Sequence, residues 1–189
     1  MPRVFFGLEV PDTVKKRLLA LQGPVKGAKW QSRNQLHLTL AFIGKVDETA
    51  VPELWQAASR VEAPAFELEA VGLHTFGRPD CPRNLWAGVS HEQQLLDLQC
   101  QLSGQVARAG FEIARSNFQP HITVARFRKH AGSVAVLLQE HGDDRFGSFP
   151  VTGFALFEST QGPTGSVYTV IERFPLPRPL LDETPQPDQ

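Results

Sequence analysis

Two short stretches hold the residues best suited to chemistry: HLTL at 37–40 and HITV at 121–124, the same His-apolar-Thr-apolar pattern repeated 84 positions apart. Imidazole titrates near neutrality, so of two histidines brought together one can take a proton from water while the other gives one to a leaving oxygen. A pair flanking a small site suits in-line displacement at phosphorus, with the hydroxyls of Thr39 and Thr123 donating to the non-bridging oxygens where charge develops. The pattern calls for no metal and no cofactor. His-x-Thr offers one good ligand per strand, and no Asp, Glu or Cys stands at ligand spacing beside either tetrad. There is no nucleophile elbow, and no Gly-rich phosphate loop of the nucleotide-binding kinds.

Alternation along a strand sets the requirements on the elements that carry these residues. His37 and Thr39 share one face while Leu36, Leu38 and Leu40 share the other; His121 and Thr123 likewise oppose Ile122 and Val124. Each strand therefore buries an apolar face and presents an imidazole beside a hydroxyl. If two halves of the chain meet about a pseudo-twofold axis, the histidines confront each other across a cleft.

The rest of the chain reads as two such halves. VFFGLEV (4–10) has strand character, and Pro11-Asp12 opens a helix with Val14, Leu18, Leu19 and Leu21. After the first tetrad come a helix in VDETAVPELWQAASRV and a strand pair in FELEAVGLHTFG and NLWAGV. A helix from His91 to Ala109, ended by Gly110, precedes the second tetrad. A helix near Ser133–Glu140 follows, then strands FPVTGFALFES and SVYTVIERF. Each half thus gives a motif strand, a helix and two strands joined by a turn. The pattern predicts an α+β fold with antiparallel sheets, helices packed outside and a central groove lined by the motif strands.

Composition sets bounds but names no partner. The chain has 189 residues, 41% apolar and 21% charged, and its net charge is −1. Arg178 against Asp182, Glu183 and Asp188 gives the Pro-rich run 176–189 a charge of −2, leaving +1 for residues 1–175. A near-neutral body disfavours extended binding to duplex nucleic acid. We expect one bilobal domain over 1–175 and a mobile tail over 176–189. Cys81 and Cys100 have no C-x-x-C or ligand spacing and read as reduced thiols. No run approaches the ~20 apolar residues of a membrane span, and MPRVFFGLEVPD lacks a signal-peptide pattern. The expectation is a soluble, cytoplasmic, monomeric protein.

With its paired tetrads, the chain resembles the two-histidine (H-x-T-x) phosphoesterase superfamily, and within it the RNA 2′,3′-cyclic phosphodiesterases also called 2′-5′ RNA ligases. The resemblance covers about residues 3 to 176. It rests on the tetrads, the opening RVFFGLEVP, the extension HLTLAFIG, the LWAGV strand, Arg126 and the closing LFEST…GSVYTVIERFPL. It implies metal-independent hydrolysis of RNA 2′,3′-cyclic phosphate ends, tRNA fragments among them, to 2′-phosphate ends, and joining of RNA ends through 2′-5′ linkages by reversal. It also implies that His37 is the proton donor and His121 the base, an order that the nearly symmetric tetrads leave open by themselves.

Arg126 is carried over as a phosphate contact, although strict alternation puts it on the face opposite His121. Phe42 holds the corresponding place after His37, where it either stacks on a base or joins the core. His74, in a predicted strand, has no counterpart in the other half and is left off the site. His91, at the start of a helix, and His130 and His141, among polar residues, read as solvated. Arg126, Arg128, Lys129 and His130 form a cluster able to steer an RNA end. The alternative reading is a non-catalytic module that binds an RNA end or a cyclic nucleotide in the same groove.

Overall fold

The computed structural model describes residues 1–90, 93–113 and 117–178. Among these residues nine strands and four α-helices run β1 (Arg3–Glu9), α1 (Asp12–Leu19), β2 (Ala28–Trp30), β3 (His37–Lys45), α2 (Val51–Ala58), β4 (Phe66–Arg78), β5 (Cys81–Val89), α3 (Gln93–Arg108), β6 (Ile122–Phe127), α4 (Ala135–His141), β7 (Arg145–Val151), β8 (Gly153–Gly162) and β9 (Gly165–Pro175). The helices form where apolar side chains recur at helical spacing. In α1, Val14 and Leu18 are buried one turn apart. In α3, Leu95, Leu98, Leu102 and Val106 make a buried stripe, and Gly110 beyond it adopts the left-handed φ of 93° that favours glycine. The expectation that His91 begins this helix falls outside the described residues.

Every strand pairing is antiparallel, and the main order is β7-β4-β5-β6-β3-β1-β8-β9, with β2 added on β6. The two motif strands are neighbours at the centre, joined at Leu38 opposite Ile122. Two four-stranded halves therefore meet in one continuous sheet rather than standing as separate sheets. They are interleaved: β4 follows β3 and α2 but pairs with β5, and β8 follows α4 and β7 but pairs with β1.

FPVTGFALFES reads as one strand in sequence, yet it divides at Thr152. β7 pairs with β4 in one half and β8 with β1 in the other. Since β7 lies at one end of the strand order and β8 next to the other, a one-residue link requires the sheet to curl until its ends approach. The tail begins against the body: the Leu176 amide donates to the Thr152 carbonyl at 2.8 Å, and Pro177 accepts from Ala65 at 2.7 Å.

One face of the sheet packs with the helices into a single apolar core, including Phe6, Leu38, Ile122 and Leu156 from strands and Leu18, Leu54, Leu98 and Leu102 from helices. A second, small cluster of Phe5, Ala155 and Phe157, with Tyr168 and Val170 against it, is separate. Phe5 lies between Val4 and Phe6 of the core, so alternation puts this cluster on the opposite face. Cys81 and Cys100 are exposed free thiols. Among the described residues no helix is long and apolar enough to cross a membrane.

Candidate active site

The pairing of Leu38 with Ile122 positions the site. Directly paired residues point to one face, here the core, so His37, Thr39, His121 and Thr123 all project from the other. The histidines thus project from the same surface of the sheet, diagonally about the register point, as motif strands lining one groove require.

Both motif strands then break the alternation at the same place. On β3, Gly7 is opposite Thr39 and Phe6 opposite Ala41, leaving Leu40 without a partner in that ladder. On β6, Trp86 is opposite Thr123 and Leu85 opposite Ala125, leaving Val124 as the extra residue. Each is a β-bulge at the fourth tetrad position, with the extra side chain in the core at 3% and 2% exposure. The bulge shifts the alternation by one, which returns Phe42 and Arg126, five residues after each histidine, to the histidine face. Phe42 there pairs with Phe5, and Arg126 with Asn84. Strict alternation fails for Arg126 because one residue is unpaired, not because the strand ends.

His37 is enclosed. Its Nδ1 is 2.7 Å from the Gln35 carbonyl, which only accepts, so Nδ1 carries the hydrogen; Nε2 then accepts from the Thr39 hydroxyl at 3.0 Å. The rings of Tyr168, Phe5 and Phe157 have centroids at 4.8, 4.9 and 6.2 Å from it. Burial is the main reason that its pKa falls to about 4. The Gln35 carbonyl opposes the fall, while Arg126, His121 and Lys15 add to it. In the free protein at pH 7 His37 is neutral.

His121 repeats the backbone half of this arrangement, with Nδ1 2.7 Å from the Gln119 carbonyl. Its ring meets the edges of Phe76 and Trp86, with centroids at 5.1 and 5.6 Å and interplanar angles of 87° and 62°. No other hydrogen bond to it is made among the described residues, which leaves Nε2 available. His74 reaches this face as well, with its ring 4.7 Å from Trp86, and it is exposed two strands away from β6. The buried indole nitrogen of Trp86 has no partner among the described residues.

A cavity of about 340 Å³ brings His37, Thr39, Phe42 and Arg126 together with Arg3 and Tyr168. Phe42 is 45% exposed, so it lies outside the core, and the Arg3 guanidinium is 5.5 Å from its ring centre. Arg128, Lys129 and His130 follow on the surface beyond β6, while His141 bonds Asp144 at 2.7 Å. A larger cavity of about 600 Å³ is lined by Val10, Phe154, Phe174 and the Glu9–Arg173 ion pair; it contains neither tetrad, and its one carboxylate is already paired. Among the described residues no group of three His, Cys, Asp or Glu is placed to hold a metal.

Sequence reasoning missed Phe5, Phe157 and Tyr168 around His37, and the two carbonyls that orient the imidazoles. The carbonyls left a trace, since glutamine stands two residues before each histidine, in QLH and QPH.

The LigT like Phosphoesterase family model matches the chain twice, over residues 8–86 and 88–168, one tetrad in each match. The chain belongs to the LigT-like phosphoesterase family and is an enzyme of the phosphoesterase class. A Thermus thermophilus protein named RNA 2′,3′-cyclic phosphodiesterase is 34% identical over 92% of this chain and 90% of its own length. A Thermotoga maritima protein of the same name is 31% identical over 89% and 92%. The crystal structure of E. coli LigT complexed with 3′-AMP superposes with a TM-score of 0.79 at 28% identity, covering 93% of this chain and 99% of that one.

Proposed function

We propose that the chain hydrolyses RNA 2′,3′-cyclic phosphate ends to 2′-phosphate ends, with His37 and His121 moving the protons. One observation carries this reading: two histidines share one face about a common register point, each with Nδ1–H held by a carbonyl two residues before it, so that Nε2 is the reacting nitrogen, open on His121 and met by the Thr39 hydroxyl on His37. The names of the Thermus and Thermotoga relatives support the choice of substrate.

In this mechanism the non-bridging oxygens face Thr39, Thr123 and Arg126, and Phe42 stacks on the terminal base. His121 takes a proton from water as its oxygen bonds to phosphorus. The P–O3′ bond breaks opposite, and His37 protonates O3′. One water is consumed, leaving a 2′-phosphomonoester and a 3′-hydroxyl. A 5′-hydroxyl in place of the water gives a 2′-5′ linkage by the same steps. Both tetrads lie in one chain, so a monomer suffices, and no step needs a metal.

The depressed pKa of His37 attaches a condition to its donor role. It must take up a proton together with the substrate, and the phosphate anion supplies the counter-charge that favours this. The same depression favours a second reading in which His37 is the base and His121 the donor. A cyclic substrate with sulfur bridging at the 3′ position separates them, because a thiolate departs without protonation. Rescue of His37→Ala by sulfur supports the first order, and rescue of His121→Ala the second. Should the wild type, in EDTA, release no 2′-phosphate from an oligoribonucleotide with a cyclic end, the hydrolytic reading fails, and binding of that end without turnover would favour the non-catalytic module.

A further inference from the structure

A second cavity, of about 370 Å³, is also lined by His37, with Lys15, Ser32, Asn34, Tyr168 and the Glu9 carboxylate among its walls. Lys15 is its notable feature. It sits on α1, half-buried, and the two carboxylates whose charges act on it are both committed elsewhere. Asp12 holds Arg33 at 2.9 Å, and Glu9 holds Arg173 at 2.9 Å. Among the described residues Lys15 itself makes no ion pair. Burial pulls its pKa down, so its ammonium gains from any anion that enters. Lys15 and His37 line the same cavity, so a ligand held at His37 has this cation on an adjoining wall.

From the cavity and the unpaired cation we infer that this pocket is a second anion site, which takes the phosphodiester on the 5′ side of the terminal nucleotide through Lys15. The inference rests on the phosphodiesterase reading, under which the terminal phosphate lies against His37. His37, Ser166 and Tyr168 are shared by both cavities, so a strand whose terminal phosphate occupies one has its next phosphate beside the other. A lysine ammonium is a compact point charge suited to a phosphate that needs holding but no chemistry. The site makes the enzyme one that prefers an oligonucleotide end to a mononucleotide.

The experiment measures dissociation constants for three 2′-phosphorylated products: a dinucleotide, the same dinucleotide with a neutral methylphosphonate linkage, and the nucleoside alone. Wild type binds the charged dinucleotide about tenfold more tightly than the neutral one, as one charge-assisted contact predicts. Lys15→Gln loses that ratio while still binding the neutral ligand, and Lys15→Arg keeps it. Equal binding of the two dinucleotides by wild type, or an unchanged ratio in Lys15→Gln, overturns the inference. Turnover of the matching cyclic dinucleotide by wild type is scored separately. If turnover is absent the hydrolytic reading falls, whereas the ratio of binding constants still decides the role of Lys15.

Discussion

The two tetrads occupy equivalent positions about the centre of one sheet, yet their histidines live in different surroundings. His37 is walled by Phe5, Phe157 and Tyr168 and bonded at both ring nitrogens, whereas His121 meets two ring edges and is bonded at Nδ1. Five residues on, the first half has Phe42 and the second Arg126. Symmetric topology has been given an asymmetric lining, as a reaction needs when one group must take a proton and its neighbour must give one. A pair of titrating groups in unlike environments is how acid and base are told apart.

The strongest test of this division of labour is to remove each imidazole. His37→Ala and His121→Ala each lower kcat on a cyclic-phosphate RNA end about 10³-fold, within the range for losing one proton-transfer group. A single variant that keeps more than about a tenth of the activity would show one half acting alone. The equivalent positions come next. Arg126→Ala costs about 10²-fold, mainly in kcat, because it removes charge stabilisation of the phosphoryl oxygens. Phe42→Ala costs about tenfold, mainly in KM, as loss of a stacking surface does. An equal split between kcat and KM in both would erase the distinction between charge and stacking.

Stability against pH sharpens the comparison further. The folded pKa of His37, about 4, lies below its unfolded value, so the unfolded chain binds more protons between roughly pH 4 and 6.5. The contribution is present in full above about pH 6.5 and is lost as pH falls towards 4, on the order of 3 kcal/mol in denaturant titrations. His37→Asn flattens that slope, and a slope unchanged in the variant would place its origin elsewhere. The smallest effect separates the threonines. Thr39→Val loses the hydroxyl bonded to His37 and about 1 kcal/mol of stability. Thr123 makes no such bond among the described residues, so Thr123→Val unfolds within about 0.5 kcal/mol of wild type.

The sequence made the tetrads, the helices and the antiparallel class legible, because periodicity and residue type are local properties. It did not show that Leu40 and Val124 are bulged, since a bulge depends on which partner residue stands opposite, and that is a property of the pairing. Alternation alone therefore sent Arg126 to the wrong face. Thr152 was hidden for a similar reason: an uninterrupted strand pattern carries no sign that its two ends pair with different halves. Phe5, Phe157 and Tyr168 read as ordinary strand residues until β8 and β9 bring them against His37. Lys15 stood out in no pattern, because a cation lacking a partner is defined by what its neighbours already hold.

Leu38 and Ile122, both fully buried, are the residue pair at which the motif strands meet. Each stands one residue from its histidine, so the spacing between the two imidazoles is gauged by an apolar contact that touches no ligand. The working distance of the site is thereby stored in the core, where close packing resists change. The outer strands and hairpin turns are then free to vary in length and lining. What the site accepts can then be altered at those edges while the same calibrated pair of imidazoles is kept at the centre.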